Sequence, residues 1–472
     1  MIKLARALCW AIALAPLASS ATTLPERPRA VLRQQLVKEA SVTVVVRDVA
    51  SGESLIELNP LTPRSPASTL KLLPTWAALE MLGPAHSWKT RVYADGPIRA
   101  GVLRGNLYLQ GGGDPMMTLE RWWKLVTDLR QTGLRVIEGD VVIDEELFAP
   151  LAERRGDFDR RPQRTYNVLP HPLLVNLQSI EFTVRAADDG QTIEVGATPL
   201  PSNLDLQNRI RPSTGPCNSR NRNFSIQHAE DRPLSLVVSG TVSVNCPPQS
   251  ARQPVMTPTD YAYGSFRQLW EQQGGSIGGG LLRAPTPPKA KLLLSRDSPS
   301  LAEVIRVVNK FSSNVMARTL VLTIAAENGT RPATSAAGEA LIDGWLRQQG
   351  LVFEELVIDN GSGLSRKARM SGDSMARMLA AAWRSRYAPE FIATLPMGGL
   401  DGSLRKRFKR LRDPSRVRMK TGSLNGVSSL AGYVTGRSGR TYAVVIMVNQ
   451  KGAQYGSGDL IEGAVVDWVL DQ

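Results

Sequence analysis

Histidine and cysteine are scarce, with three of each in 472 residues. His86, His171 and His228 are scattered, and together with Cys217 and Cys246 they make no zinc-ligand spacing. No histidine lies in a motif that would set it beside a serine, which argues against a Ser-His-Asp triad. Neither a metal nor a cofactor is expected. Long apolar runs are missing after the first twenty residues, so no later segment is expected to cross a bilayer. There is no internal repeat and no low-complexity tract. The run Gly111-Gly112-Gly113 is not followed by Gly-Lys-Ser/Thr, which excludes a phosphate loop. It reads instead as a tight turn leaving a strand.

What is present is a globular composition, 42% hydrophobic and 21% charged, long enough for two or three domains. Residues 1–21 read as a signal peptide: Lys3 and Arg6, a short apolar run from Ala7 to Leu17, then the small residues Ser19-Ser20-Ala21. A retained N-terminal anchor is the competing reading, for which the run is short. The formal charge is +14, or +12 once Lys3 and Arg6 leave with the leader. A basic exported protein suits an anionic lipid or wall polymer, and export argues against nucleic acid. Cys9 leaves with the leader, and an even pair in an exported chain suggests one disulfide, Cys217–Cys246, over two unpaired thiols.

Alternation and turn residues divide the remainder. Ser41–Val49 and Ser54–Leu58 read as a hairpin, and Pro66-Ala67-Ser68 opens a helix that Gly83-Pro84 stops. Pro74 should bend that helix or loosen a turn. Residues 96–284 differ in style, with a strand over Leu103–Gln110, a helix over Leu119–Gln131 and β-like runs at Ser179–Arg185, Thr192–Gly196 and Ser235–Val244. We read this stretch as a mainly β insertion of two small subdomains. It interrupts one α/β (α+β) domain made of residues 22–95 and 285–472. Arg283–Ala290 serves as the linker back. The chain then reads as helix with an interruption at Ser312–Asn314, a strand over Val417–Leu424, a hairpin to Asn449 and a closing amphipathic helix over 457–471. Residues 404–420 hold nine basic side chains and one acid, Asp413. They form either a solvated surface or a basic lip that attracts anionic glycan or wall peptide.

Three short motifs carry the chemistry, in order: Ser68-Thr69-Leu70-Lys71, Ser312-Ser313-Asn314 and Lys420-Thr421-Gly422. A serine hydroxyl needs a base to become a nucleophile. Three positions on along a helix, Lys71 stands on the same face as Ser68. It serves as a base only if burial or a second cation such as Lys420 lowers its pKa. In an extended segment, Ser312 and Asn314 would face one cleft, the hydroxyl relaying a proton and the carboxamide holding a substrate amide. Lys420, Thr421 and Gly422 on a strand offer a cation, a hydroxyl and room for another backbone, which suits a carboxylate along the strand edge. Taken singly, each motif also fits an ordinary role as a cap, a loop or a strand end.

In this order the motifs resemble those of the penicillin-binding and serine β-lactamase superfamily. More narrowly, the chain resembles the D-alanyl-D-alanine carboxypeptidase/endopeptidases, the low-molecular-mass class C penicillin-binding proteins. The resemblance extends to Ser65-Pro66-Ala67 before the nucleophile, Asn309-Lys310 before Ser312, Asp359-Asn360-Gly361-Ser362-Gly363-Leu364-Ser365-Arg366, Leu400-Asp401-Gly402-Ser403-Leu404 and Leu430-Ala431-Gly432-Tyr433-Val434. Ser312 comes 244 positions after Ser68, room for an insertion typical of the group. The resemblance implies an antiparallel sheet flanked by helices and a periplasmic hydrolase of peptidoglycan stem peptides, acylated covalently by β-lactam antibiotics. It implies that Ser68 attacks the peptide carbonyl between two D-alanines and that Lys71 takes its proton. Ser312 would protonate the leaving amine, Asn314 would orient the substrate, and Lys420 and Thr421 would hold its carboxylate. The N–H groups of Ser68 and Ser423 would form the oxyanion hole. Two residues depart from the family pattern: Pro74, and Arg318, which stands where an acid is usual. A β-lactamase is the first competing reading, disfavoured by the long insertion and the lack of a deacylating glutamate motif. A catalytically silent wall-binding scaffold is the second, disfavoured by the full set of motif residues.

Overall fold

β-Branched runs from the two ends of the chain pair with each other. The computed structural model describes residues 23–217, 223–411 and 413–472; the expected leader, 1–21, lies outside the described residues. Five antiparallel strands form the main sheet, in the spatial order Val417–Leu424, Val427–Thr435, Thr441–Asn449, Val42–Asp48, Ser54–Leu58. The first strand in sequence thus lies beside the last, with Val45 opposite Val445. Helices cover both faces, so the strands read as continuous apolar runs rather than as alternation with polar residues. Period-2 geometry still sorts the side chains. Val42, Val44, Val46, Leu430 and Ile446 face the first and last helices, Glu26–Gln34 and Ser457–Leu470. Val45, Ala431, Tyr433, Val445 and Met447 face a larger core shared with the helices Leu72–Leu82, Leu301–Phe311, Asn314–Glu327 and Gly372–Arg384.

The chain between Lys89 and Asp297 folds outside that sheet. Lys89–Ala94 pairs antiparallel with Lys291–Asp297, and these two strands extend into a mixed five-stranded sheet with Leu107–Gln110, Val141–Asp144 and Leu281–Arg283. The pairing therefore straddles the boundaries expected at 95 and 285. Leu119–Gln131 and Pro258–Gln272 pack here through Trp122, Phe266 and Trp270. Trp122 is core, whereas its neighbour Trp123 is half exposed. Two three-stranded sheets follow, one of Ile193–Thr198, Ser179–Ala186 and Gln249–Pro254, the other of Asp205–Ser213, Arg232–Ser243 and Phe224–Ala229. The Cys217–Cys246 disulfide ties the second of these.

Two local expectations need correction. The strand expected over Leu103–Gln110 is broken into Val102–Leu103 and Leu107–Gln110. Gly105 turns the chain there against Gly96, so closely that a Cβ on Gly105 would sit 2.9 Å from the Gly96 nitrogen. The helix expected from Pro66 begins as a 3-10 turn, Ala67–Lys71, and becomes α-helical only over Leu72–Leu82. Pro74 has no N–H to give the Leu70 carbonyl, so it falls in the first α-helical turn, where that donor is not needed.

Candidate active site

The nucleophile turn is positioned by backbone contacts on both sides. Ala67 adopts a left-handed φ of 47°, and Thr69 Oγ1 donates to the Pro66 carbonyl at 2.7 Å. On one side lies the Asp359–Leu364 loop, where a Cβ on Gly363 would fall 1.8 Å from the Ala67 carbonyl oxygen. On the other lies the Val417–Leu424 strand. A Cβ on Gly422 would sit 2.3 Å from Ser429 Oγ and 2.8 Å from the nitrogen of Ser68. Ser429 Oγ in turn donates to the Pro66 carbonyl at 2.7 Å. Glycine at 363 and 422 is thus what lets loop, turn and strand meet.

Lys71 is completely buried at their junction. Its Nζ lies 2.8 Å from Ser68 Oγ, donates to Asn314 Oδ1 at 2.7 Å and makes a short contact with the Ser362 carbonyl. Burial lowers its pKa well below the usual lysine range, and the cations Lys420 and Arg318 lower it further. A neutral amine has two N–H groups and one lone pair. Asn314 Oδ1 and the Ser362 carbonyl can only accept, so they take the two N–H groups. The lone pair is left for the Ser68 hydroxyl, which is the arrangement a general base requires.

Lys420 is also fully buried, and burial pushes its pKa down to about 7. Its Nζ donates to Ser312 Oγ at 2.9 Å and to the Thr421 carbonyl at 2.8 Å. Thr421 Oγ1 donates to Ser403 Oγ at 2.8 Å, and Ser423 is exposed beside it. The Asn309-Lys310 pair supports this edge from behind. Asn309 donates to Thr75 and Thr394, while Lys310 Nζ donates to the Leu395 carbonyl and to Asp401, each at 2.6 Å.

The expectation of an extended Ser312–Asn314 segment is not met. Ser312 ends the helix Leu301–Phe311 in a left-handed conformation, φ 59°, and Asn314 opens the helix Asn314–Glu327. The break between two helices, not a strand, turns both side chains to one cleft. Asn314 spends its carboxamide inside the protein, accepting from Lys71 and donating to the Tyr166 carbonyl at 3.0 Å. It therefore fixes the Lys71 amine before it could touch any ligand.

Ser68, Ser312, Asn314 and Ser423 open on one cavity of about 690 Å³. The far wall comes from the inserted region, with Phe158, Asp159, Arg161 and Tyr166, and from Leu364, Arg366 and Tyr455. Arg366 lies over the Phe158 ring, 4.8 Å from its centre. None of the four insertion residues belongs to a motif, so nothing in the sequence marks them. Ser362 and Arg366 do lie in a motif loop, but their contacts depend on how it folds back. Arg318 is buried and ion-paired with Glu153 of the inserted region. In the basic segment, Arg407 bonds Glu462 and Arg416 bonds backbone carbonyls, leaving Arg405, Lys406, Lys409 and Arg410 exposed.

Comparison with known proteins agrees with this geometry. Residues 29–468 match the profile of the D-Ala-D-Ala carboxypeptidase 3 (S13) family. A D-alanyl-D-alanine carboxypeptidase of Actinomadura sp. (strain R39) is 30% identical over 438 residues, covering 89% of this chain and 79% of that protein. D-alanyl-D-alanine carboxypeptidase DacB of Haemophilus influenzae is 25% identical, covering 91% of this chain and 88% of that one. The crystal structure of penicillin binding protein 4 (dacB) from Haemophilus influenzae superposes with a TM-score of 0.80 at 22% identity, over 94% of this chain and 99% of that one, which shows a shared fold. The match runs through every element that builds the cavity, and the chain belongs to the D-Ala-D-Ala carboxypeptidase 3 (S13) family.

Proposed function

We propose that the chain is an exported serine DD-peptidase that hydrolyses D-Ala-D-Ala ends of peptidoglycan stem peptides, and their cross-links, through a Ser68 acyl-enzyme. The observation that carries this is Lys71, buried and flanked by two oxygens that only accept and one hydroxyl that can donate. Lys71 takes the Ser68 proton as Oγ attacks the carbonyl carbon. The oxyanion that forms is held by the N–H groups of Ser68 and Ser423 at the strand edge. The C–N bond then breaks, and the departing D-alanine amine is protonated through the Ser312 hydroxyl, which Lys420 holds. Lys420 and Thr421 bind the terminal carboxylate, and Gly422 lets the strand that presents them pack against the nucleophile turn. Water entering the open cavity hydrolyses the ester and frees Ser68. A penicillin offers the same carbonyl and carboxylate, so it acylates Ser68 in the same way. The periplasm is the compartment that fits, and among the described residues no helix is long and apolar enough to cross a membrane. The division into a peptidase domain and an inserted region belongs to this reading, with its edges widened to include Lys89–Ala94 and Lys291–Asp297.

The test is intact-mass measurement after incubation with a penicillin, with Ser68→Ala and Lys71→Ala in parallel. A lasting adduct on the wild-type chain alone is expected. Loss of the drug without an adduct would indicate a β-lactamase, and a folded protein that does neither would indicate a silent scaffold. A Lys71→Ala variant acylated at the normal rate would remove Lys71 as the base.

A further inference from the structure

One buried charge beside the site has no part in the mechanism above. Asn314 and Arg318 lie four residues apart on one helix and so share a face. Both reach into the inserted region from that face, Asn314 to the Tyr166 carbonyl and Arg318 to the Glu153 carboxylate. Asn314 touches Lys71 directly, and Arg318 follows it one helical turn along the same helix, near enough for its charge to bear on Lys71. Its side chain is only 7% exposed, whereas that of Glu153 is 43% exposed. Solvent screens the carboxylate and hardly screens the cation, so the pair does not cancel at Lys71. A buried charge is costly to keep even when paired, and such groups cluster where they act on a site.

We propose that Arg318 is an electrostatic positioning residue: a buried cation, anchored to the inserted region by Glu153, that disfavours protonation of Lys71 and so sets the pH range over which Ser68 is acylated. This rests on Lys71 being the base. The other charged groups around it are accounted for. Lys420 approaches Lys71 from the sheet and acts in the same sense as Arg318. Asp359, on the loop that carries Ser362, favours the charged form of Arg318. Glu339, from the helix Ser335–Gln348, is pushed up to about 7 by burial and by Asp359, so it is about half ionised in neutral solution and carries little charge only in acidic solution. Glu153, Asp157, Glu339 and Asp359 line a second cavity, of about 510 Å³. Arg318 itself is lowered by burial only to about 10 and stays a cation wherever the enzyme works.

The experiment is the second-order rate of acylation by a fluorescent penicillin, measured from pH 5 to 10. It compares wild type with Arg318→Gln, Arg318→Lys and Glu153→Gln, with Ser68 adducts confirmed by mass and folding by thermal melts. In Arg318→Gln the midpoint of the rising limb should move up by roughly 0.5–1 pH unit, a three- to tenfold loss of rate below the midpoint, with the falling limb set by Lys420 left where it is in the wild type. Arg318→Lys should restore the wild-type midpoint, and Glu153→Gln should move it down. A folded Arg318→Gln protein with an unmoved midpoint, or with a rate lowered equally at every pH, would overturn the proposal. Wild-type protein that forms no Ser68 adduct would instead overturn the function on which it rests.

Discussion

At the scale of single residues, the two lysines differ in what they must do and therefore in how pH affects them. Both are fully buried, yet Lys71 lies close to two other cations while Lys420 is lowered by burial alone. In the proposed mechanism Lys71 works as a neutral amine, so its role strengthens as pH rises through its depressed pKa. In the same mechanism Lys420 works as a cation against a carboxylate, so its role weakens as pH rises through about 7. For a D-Ala-D-Ala peptide with a free C-terminus, kcat/KM should therefore fall above pH 7, by about ten- to a hundredfold where a charge-assisted hydrogen bond is lost. The same peptide with an amidated C-terminus should be a poor substrate and show no such decline. A parallel fall for both peptides would show that Lys420 does not read the carboxylate. The effect belongs in kcat/KM rather than kcat, because bound carboxylate stabilises the ammonium form.

At the scale of elements, the site is a meeting of three backbones: the nucleophile turn, the Asp359–Leu364 loop and the Val417–Leu424 strand. Gly422→Ala tests this directly. Its methyl would sit against Ser429 Oγ and the Ser68 nitrogen, displacing strand from turn. The protein should remain folded, because the strand keeps its ladder to Val427–Thr435, but acylation should fall by at least about a hundredfold. Near-normal acylation in a folded variant would mean that the strand edge does not need this approach. Much of the arrangement is legible in the sequence, since apolar strands buried on both faces and helices with clear stops announce themselves by composition and punctuation. The strand ends at Val417, Leu424 and Asn449 match the expected ones. The break at Ser312 is less so: a left-handed serine between two helices leaves no trace in periodicity, and an extended segment satisfies the same spacing. The late start of the α-helix after Lys71 has a visible cause in Pro74, but the 3-10 turn it leaves is a tertiary outcome, fixed by Gly363 and Gly422 pressing from either side.

At the scale of the whole molecule, the inserted region does two separable things. Its segment from Glu153 to Tyr166 closes one wall of the cavity and holds the helix that carries Asn314 and Arg318. Sequence gives no warning of this, because the contacts are made by a carbonyl and by ordinary polar side chains outside any motif. Its outlying sheet of Asp205–Ser213, Arg232–Ser243 and Phe224–Ala229 does something else. The small core there holds Val184, Ile193, Phe224, Val238, Val242 and Ala251. So few side chains supply little burial, and the Cys217–Cys246 bond makes up the difference, as small exported domains commonly require. Closing a loop over a separation of 29 residues is worth about 3–4 kcal/mol in the chain-entropy account. None of the residues of this sheet lines the catalytic cavity. The double variant Cys217→Ser/Cys246→Ser should therefore lose an early, separate part of its melting transition while acylating Ser68 at 25 °C within about twofold of the wild-type rate. The link that could defeat this is Arg155, which donates to the Pro254 carbonyl at 2.5 Å and so ties the β-rich part to the segment that walls the cavity. If acylation fell in step with the melting temperature, that tie would be transmitting the state of the distant sheet to the site, and the insertion would have to be treated as one mechanical body.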